Sequence, residues 1–455
     1  MCGITAVISN ENIIYDLYES LYHLQHRGQD GFGITYLNSG KINLIKYKGL
    51  LSTADINDNL KKINSTIAIG HVRYPTKGAN TINECQPFLK EGINYNISLV
   101  HNGQIWITDK LKNYFKINNI DISNITSDSI YLLSFISYHI NKHKTLDSLI
   151  IKNIISELYD LFEGSYNCIC MIEGYGLICF KDPHSIRPLI TGFKGDSYII
   201  SSESVSITSL DYKIMGDIYN NELLTFNNSR INIIKIKKET KSLKPCIFEW
   251  VYLAREESIL YDVNVYQARY KMGEFISHKL KHLENIDYII PVPDTSKPVA
   301  LAISETLGIK YREAITKNRY INRTFIMNTQ EKRKTNIKRK LNIVKKFIEN
   351  KNIIVVDDSI VRGNTIKHII NLLKINKANN IYIVSACPEI INENVYGIDI
   401  PIANDLICHN KNKDKLLKEL LVNDIFFQDI SDLKKSIQLF NPNLKQFEDS
   451  IFLKK

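Results

Sequence analysis

Residues Asn352 to Ile366, NIIVVDDSIVRGNTI, constrain the fold more than any other stretch of the chain. Ile353 to Val356 are four β-branched residues in a row, the composition of a central strand buried on both faces. Two carboxylates, Asp357 and Asp358, follow at once, then Ser359, Ile360, Val361, Arg362, Gly363, Asn364 and Thr365. Beyond them Ile366, Ile369, Ile370, Leu372 and Leu373 recur at the spacing of a single buried helix face. A strand, a hydroxyl- and glycine-bearing loop and a helix, in that order, make an anion site. Backbone N–H groups and the positive end of the helix dipole gather at the carboxyl end of a parallel sheet, where ligands bind. Paired aspartates beside such a cradle suit Mg²⁺ or the hydroxyls of a sugar. For a bare DD the plainer alternative is an ordinary strand–turn–helix unit with a solvated acidic tip.

The whole string VVDDSIVRGNT resembles the phosphoribosyl-pyrophosphate (PRPP) signature of type I phosphoribosyltransferases. That resemblance assigns PRPP to residues 357–365 and Mg²⁺ to Asp357 and Asp358. Asn364 stands where the family usually has Thr; an amide still donates and accepts near a phosphate, so weakened rather than abolished binding is expected. A second strand-like run, Asp287 to Pro291, ends in PVPDTS (291–296), and Ser296 matches a Mg²⁺-associated position of the family. Magnesium takes few protein ligands beside substrate oxygens, so sparse ligation is expected.

With 455 residues, 44% hydrophobic and 23% charged, the chain is long enough for two or three domains with substantial cores. Its formal net charge of +10 favours anionic ligands, phosphorylated metabolites and nucleic acid alike. Eight cysteines, at 2, 85, 168, 170, 179, 246, 387 and 408, include no CxxC, which removes the zinc-ribbon and redox-pair readings. No signal-like opening and no membrane-length apolar run is present, so a cytoplasmic, reduced protein with no membrane partner is expected.

The front of the chain carries different chemistry. Cys2 is small enough for an aminopeptidase to remove Met1, leaving a thiol and a free α-amine on one residue, a nucleophile with its own base. Five stretches follow in order: LQHRGQDGFG (24–33), GHVRYPT (70–76), ECQPF (84–88), HNG (101–103) and TSDS (126–129). The Arg73 guanidinium suits a bidentate grip on an α-carboxylate. Asn102 and Gly103 offer a side-chain amide and a backbone N–H for an oxyanion, although Asn-Gly by itself reads as a turn. Asp128 opens a helical run, where it is suited to stabilising the helix dipole. Together with Cys2-Gly3-Ile4, these motifs resemble the glutaminase domain of the N-terminal-nucleophile amidotransferases. The resemblance implies that Asp128 meets the glutamine α-ammonium and that Arg27 and Gly28 wall the nucleophile.

Strand-like runs YNCICMI, GLICF, SYIISS, ELLTF and INIIKI fill 165–237, with Cys168, Cys170 and Cys179 as core thiols. Ser202-Glu203-Ser204 and Ile186-Arg187-Pro188-Leu189 are read as scaffold and interface elements. The basic stretch KIKKETKSLK (235–244) marks the boundary, giving a glutaminase domain at 2–235, a linker at 236–245 and a phosphoribosyltransferase domain at 246–455. The expected fold is a four-layer αββα sandwich followed by a parallel-sheet α/β domain. Basic residues at 331–342 are either a solvated or nucleic-acid-binding face or, beside a pyrophosphate site, a flap over the substrate.

Over nearly its whole length the chain resembles the glutamine-dependent amidophosphoribosyltransferase family of purine synthesis. That resemblance implies glutamine and PRPP as substrates, internal passage of ammonia, purine-nucleotide feedback inhibitors and a homotetramer, with no nucleic-acid partner. One branch carries an iron–sulfur cluster held partly by a CxxC and by a cysteine before its VYGID motif; here that position is Asn394, so no cluster is expected. The alternatives are a glucosamine-6-phosphate or asparagine synthetase with the same front half, against which the PRPP signature speaks, and a regulator that keeps the PRPP-binding fold as a sensor.

Overall fold

The computed structural model describes residues 1–53, 62–74, 81–121, 127–227, 230–237, 241–317, 341–400 and 402–453. Pro75 and Thr76, Thr126, residues 238–240 of the linker and nearly all of the basic stretch at 331–342 lie outside these. The chain forms two compact units. The first comprises Met1–Cys246 with Ile259–Tyr261 and Val395–Asp399; the second comprises Ile247–Ser258, Asp262–Asn394 and Ile400–Lys455. The first unit thus extends past Lys235, the end expected from the sequence, and takes in two short segments from later in the chain.

Among the described residues, thirteen strands form the two large sheets of unit one: β1 Gly3–Ile8, β2 Gly31–Asn38, β3 Lys41–Lys48, β4 Ile67–Arg73, β5 Phe88–Lys90, β6 Ile97–Trp106, β7 Glu163–Ile172, β8 Gly176–Lys181, β9 Ile190–Lys194, β10 Ser197–Ser201, β11 Lys213–Asp217, β12 Glu222–Asn227 and β13 Arg230–Lys235. They make two antiparallel sheets, ordered β11-β9-β10-β1-β4-β2-β3 and β13-β12-β8-β7-β6-β5. Alternation along each strand explains the layering. Ile4 and Ala6 of β1 join Ile69, Val100, Ile169 and Met171 in a core between the sheets. Thr5, between them, turns the other way and its hydroxyl lies 2.7 Å from that of Ser20 on the covering helix Ile14–His23. On β7, Cys168 and Cys170 face a second core with helices Asp128–Ile140 and Ser148–Leu161. Helix, sheet, sheet and helix give the four-layer αββα sandwich.

Unit two holds a four-stranded parallel sheet in the order Tyr288–Pro291, Ile353–Asp357, Ile381–Ser385, Asp424–Phe427. Ile353–Asp357 is flanked on both sides, pairing Ile353 with Tyr288 and with Ile381, and all five of its residues are buried. The following helix, Asn364–Ile375, buries Ile366, Ile369, Ile370 and Leu373, the face read from the sequence. Parallel pairing puts the carboxyl ends of neighbouring strands side by side, and Val292 N donates to Val356 O at 2.8 Å. The 292–296 loop and the 357–365 loop therefore leave the same edge of the sheet.

Candidate active sites

In unit one, Cys2 immediately precedes β1, and Gly3 is in register with Val72 of β4, so the nucleophile sits beside Arg73 at the strand end. The Cys2 thiol lies 3.8 Å from the Tyr74 carbonyl. Arg27, on a short 3₁₀ turn, donates from Nε to the Cys2 carbonyl at 3.1 Å. Its Nη1 pairs with Glu203, whose carboxylate also lies 2.7 Å from His26 Nε2. Arg27 thus lies against the backbone of Cys2, and Glu203, read from the sequence as a scaffold and interface element, is what holds it.

Asn102 and Gly103 lie within β6, opposite Asn167 and Tyr166 of β7, rather than in a turn. Gly103 has φ +154°, and a Cβ there would fall 2.0 Å from the Ser165 carbonyl oxygen, so only glycine fits. The Asn102 amide is 1% exposed, and both its Oδ1 and its Nδ2 lack a hydrogen-bond partner among the described residues. Native structures rarely leave a buried amide in that state, because it costs ~1–3 kcal/mol unless a ligand satisfies it. Asp128 begins its helix, as expected, and its Oδ2 accepts from Ile105 N at 2.8 Å, tying the helix start to the end of β6.

Behind these groups lies a buried network that the sequence reading quoted but did not assign. Gln86 Oε1 accepts from His101 N at 2.6 Å, its Nε2 donates to Ser129 Oγ at 3.1 Å, and Ser129 Oγ is 2.9 Å from His101 Nδ1. Burial holds His101 below the ordinary histidine range. His71 is pushed further down, first by burial and then by Arg73, so both rings are neutral at physiological pH. The only local hint was the polar triplet Gln86, His101 and Ser129 inside otherwise apolar strand and helix runs.

Unit two builds the anion cradle. Asp357 closes its strand and accepts from Asp358 N at 3.0 Å, and Asp358 Oδ1 accepts from the Ser359 hydroxyl at 2.8 Å. Burial raises Asp358 to about 6, against hydrogen bonds from Ser359 and Thr295 and the charge of Arg269. Asp357 is raised well above the usual carboxylate range by burial and then by Asp358. Gly363, at φ +76°, caps the helix, leaving Asn364 and Thr365 as its first residues with their side chains exposed. Behind the loop, Ile407 N donates to Val361 O at 2.9 Å, and a Cβ on Gly363 would fall 2.4 Å from Ile407 Cδ1. Ser296 is fully buried and its hydroxyl donates to Val292 O at 2.7 Å, so it braces the neighbouring loop. Arg269 donates from Nε to Trp250 O and from Nη2 to Ala254 O. No cluster of three or more His, Cys, Asp or Glu with metal-ligand geometry occurs among the described residues. No described helix is long and apolar enough to cross a membrane.

The sandwich with a cysteine at the head of its first strand defines a glutamine amidotransferase, and the profile of glutamine amidotransferases class-II matches residues 1–180. An amidophosphoribosyltransferase of Haemophilus influenzae is 38% identical over 99% of this chain and 92% of its own. A Bacillus subtilis glutamine PRPP amidotransferase, solved with ADP and GMP, superposes with a TM-score of 0.85 at 29% identity, covering 99% of this chain and 94% of that one. A structure described as the allosteric regulatory enzyme of purine biosynthesis gives 0.86 at 30% identity, over 96% and 91%. The chain belongs to the amidophosphoribosyltransferase family.

Proposed function

We propose that this chain hydrolyses glutamine in unit one and delivers the ammonia to C1 of PRPP in unit two, giving 5-phosphoribosylamine, glutamate and pyrophosphate. The observation that carries this reading is the buried Asn102 amide beside Gly103, which has no hydrogen-bond partner among the described residues. It supplies oxyanion donors in the same unit as Cys2. Once Met1 is gone, the Cys2 amine takes the thiol proton and the thiolate attacks the glutamine amide. Asn102 and the Gly103 N–H stabilise the oxyanion, a thioester forms, and ammonia leaves. Arg73 and Asp128 hold the carboxylate and ammonium of the amino acid, and Arg27 fixes the nucleophile's backbone.

In unit two the backbone N–H groups of the 359–365 loop and the helix start take the 5′-phosphate. Asp357 and Asp358 would hold the ribose hydroxyls and a magnesium ion. The donor set fits Mg²⁺, being carboxylate oxygen completed by substrate oxygens; the ion supplies charge neutralisation for the departing pyrophosphate. The Ser296 hydroxyl, which matches a Mg²⁺-associated position of the family, serves better as a brace than as a ligand, since it already donates to Val292 O. No iron–sulfur cluster is part of this reading. The assembly is a homotetramer in the cytoplasm, restrained by purine nucleotides of the kind bound in the Bacillus subtilis relative. Glutamate release should be strongly stimulated by PRPP with Mg²⁺ and abolished by Cys2→Ala. Hydrolysis indifferent to PRPP reopens the acceptor, and no hydrolysis from protein confirmed to start at Cys2 removes the glutaminase assignment.

A further inference from the structure

Residue 86 lies where the ladder between β5 and β6 stops. Phe88 is opposite Leu99 and Leu89 opposite Ser98, so continuing that register sets position 86 across from His101. There the Gln86 side chain takes over from the backbone, and its Oε1 accepts from His101 N at 2.6 Å. Its Nε2 donates to Ser129 Oγ at 3.1 Å, and that oxygen lies 2.9 Å from His101 Nδ1. All three residues are buried. His101 Nε2 faces the Ser165 carbonyl oxygen at 3.4 Å, to which a ring nitrogen can only donate. The neutral tautomer with its proton on Nε2 therefore satisfies both ring nitrogens, and the Ser129 hydroxyl donates to Nδ1. Each proton in the closed ring of Gln86, Ser129 and His101 then has one place. Reversing the Gln86 amide would set its NH₂ group against the His101 N–H.

This ring adjoins both halves of the glutamine site. His101 immediately precedes Asn102, and a Cβ on Gly103 would fall 2.9 Å from His101 Nε2, so the imidazole lies directly against Gly103. Ser129 immediately follows Asp128 at the start of its helix, and Asp128 Oδ2 accepts from Ile105 N. The oxyanion pair is thus held between two ties, at 101 and 105, that run to the first two residues of one helix. Glutamine carries its α-ammonium and its reacting amide at the two ends of a flexible side chain. The separation of Asp128 from Asn102 and Gly103 therefore decides whether the carbonyl reaches its donors. We propose that Gln86 is a positioning residue for glutamine hydrolysis, fixing the Asn102-Gly103 peptide against Asp128 through the His101 N–H and the Ser129 hydroxyl. This rests on the assignment of Asn102 and Gly103 to the oxyanion and of Asp128 to the α-ammonium. Gln86 touches no substrate and acts through His101 and Ser129.

The test reads three rates in the full chain. They are glutamine hydrolysis at saturating PRPP and Mg²⁺, ammonia-dependent phosphoribosylamine synthesis, and alkylation of Cys2 by iodoacetamide, a displacement at carbon that builds no oxyanion. Gln86→Met keeps the bulk of the side chain and removes both polar atoms. It should lower kcat for glutamine hydrolysis by about 30- to 100-fold, the scale of a misplaced catalytic group, with KM for glutamine within about fivefold. Ammonia-dependent synthesis and Cys2 alkylation should stay within about twofold, which a general loosening of unit one would not spare. Ser129→Ala removes a single oxygen and should give a smaller loss of the same kind in a protein that folds; Ser129→Thr, which keeps the hydroxyl, should restore most of it. Because both side chains act through one network, Gln86→Met combined with Ser129→Ala should lose no more than Gln86→Met alone. Wild-type kcat in both Gln86→Met and Ser129→Ala overturns the proposal, as does a parallel fall in Cys2 alkylation. Asn102→Ala separates the two readings: if it keeps wild-type kcat, the oxyanion assignment fails rather than the role of Gln86.

Discussion

Arg27 and Glu203 form an ion pair with both side chains fully shielded from water, and the same guanidinium holds the Cys2 carbonyl at 3.1 Å. Removing one partner of a buried pair strands the other charge, at a cost of ~3–5 kcal/mol. Glu203→Ala should therefore lower the unfolding transition of unit one by that order and cut glutamine hydrolysis, while ammonia-dependent synthesis survives below the transition. Glu203→Gln keeps an acceptor for Arg27 and should lose less. Calorimetry alongside both assays decides it; equal loss in both variants means that the charge is not what matters.

Asn102 predicts a separation of stability from activity. Its buried amide has no hydrogen-bond partner among the described residues, so Asn102→Ala deletes a group that they leave unsatisfied. Stability should not fall, whereas kcat for glutamine hydrolysis should drop ~10²–10³-fold, the effect of losing one oxyanion donor. KM for glutamine should change little. A large loss of stability with kcat intact would show the amide to be structural.

How far these groups were legible in the sequence depended on how local their signals were. The strand, acids and helix at 353–375 announced themselves because periodicity, glycine and charge agree within one short window. The runs at β7, β8, β10, β12 and β13 were equally plain. β9 and β11 were not, for β11 is a largely exposed edge strand whose register shifts between Ile214 and Gly216. The Asn102-Gly103 pair carries a turn signature, yet the apolar pairing of β6 with β7 keeps it in strand. Glu203 is 176 positions from Arg27, and no local pattern links two such residues. The place of Val395–Asp399 in unit one was hidden for the same reason: its partners Trp106, Ser165 and Arg187 lie more than 200 positions earlier.

Met1 governs whether the nucleophile has a base. While it is present the Cys2 nitrogen is an amide, and the chain's amine is that of Met1, pushed by burial from 8.0 down to about 5. Protein forced to retain Met1, for instance by inhibiting the aminopeptidase during expression, should show no glutamine hydrolysis and full ammonia-dependent synthesis. Its stability has a sign that can be checked. A cation whose folded pKa is depressed binds fewer protons when folded, so this contribution is complete above about pH 8 and lost as pH falls toward about 5. Acetylating that amine removes the slope. Intact mass and melting temperature against pH test both statements.

Asp358 carries the opposite sign and the last prediction. Burial raises it from 3.8 to about 6, so the ligand-free fold favours its protonated form. The associated stability is complete below pH 3.8 and is lost as pH rises through about 6. At pH 7.5 the ionised carboxylate is therefore a burden on the empty protein, and Asp358→Asn should stabilise unit two by on the order of 1–3 kcal/mol. The same substitution removes the charge that magnesium and the sugar require, so Mg²⁺-dependent PRPP binding should fall steeply. In the unsubstituted protein, PRPP affinity should climb between pH 5.5 and 7.5 as the acid ionises, beyond the change due to the ligand's own titration. Titration calorimetry over that range, paired with melting of the ligand-free proteins, reads both effects. An Asp358→Asn protein that is no more stable and still binds PRPP with Mg²⁺ would place Asp358 outside the site and leave Asp357 to hold the metal.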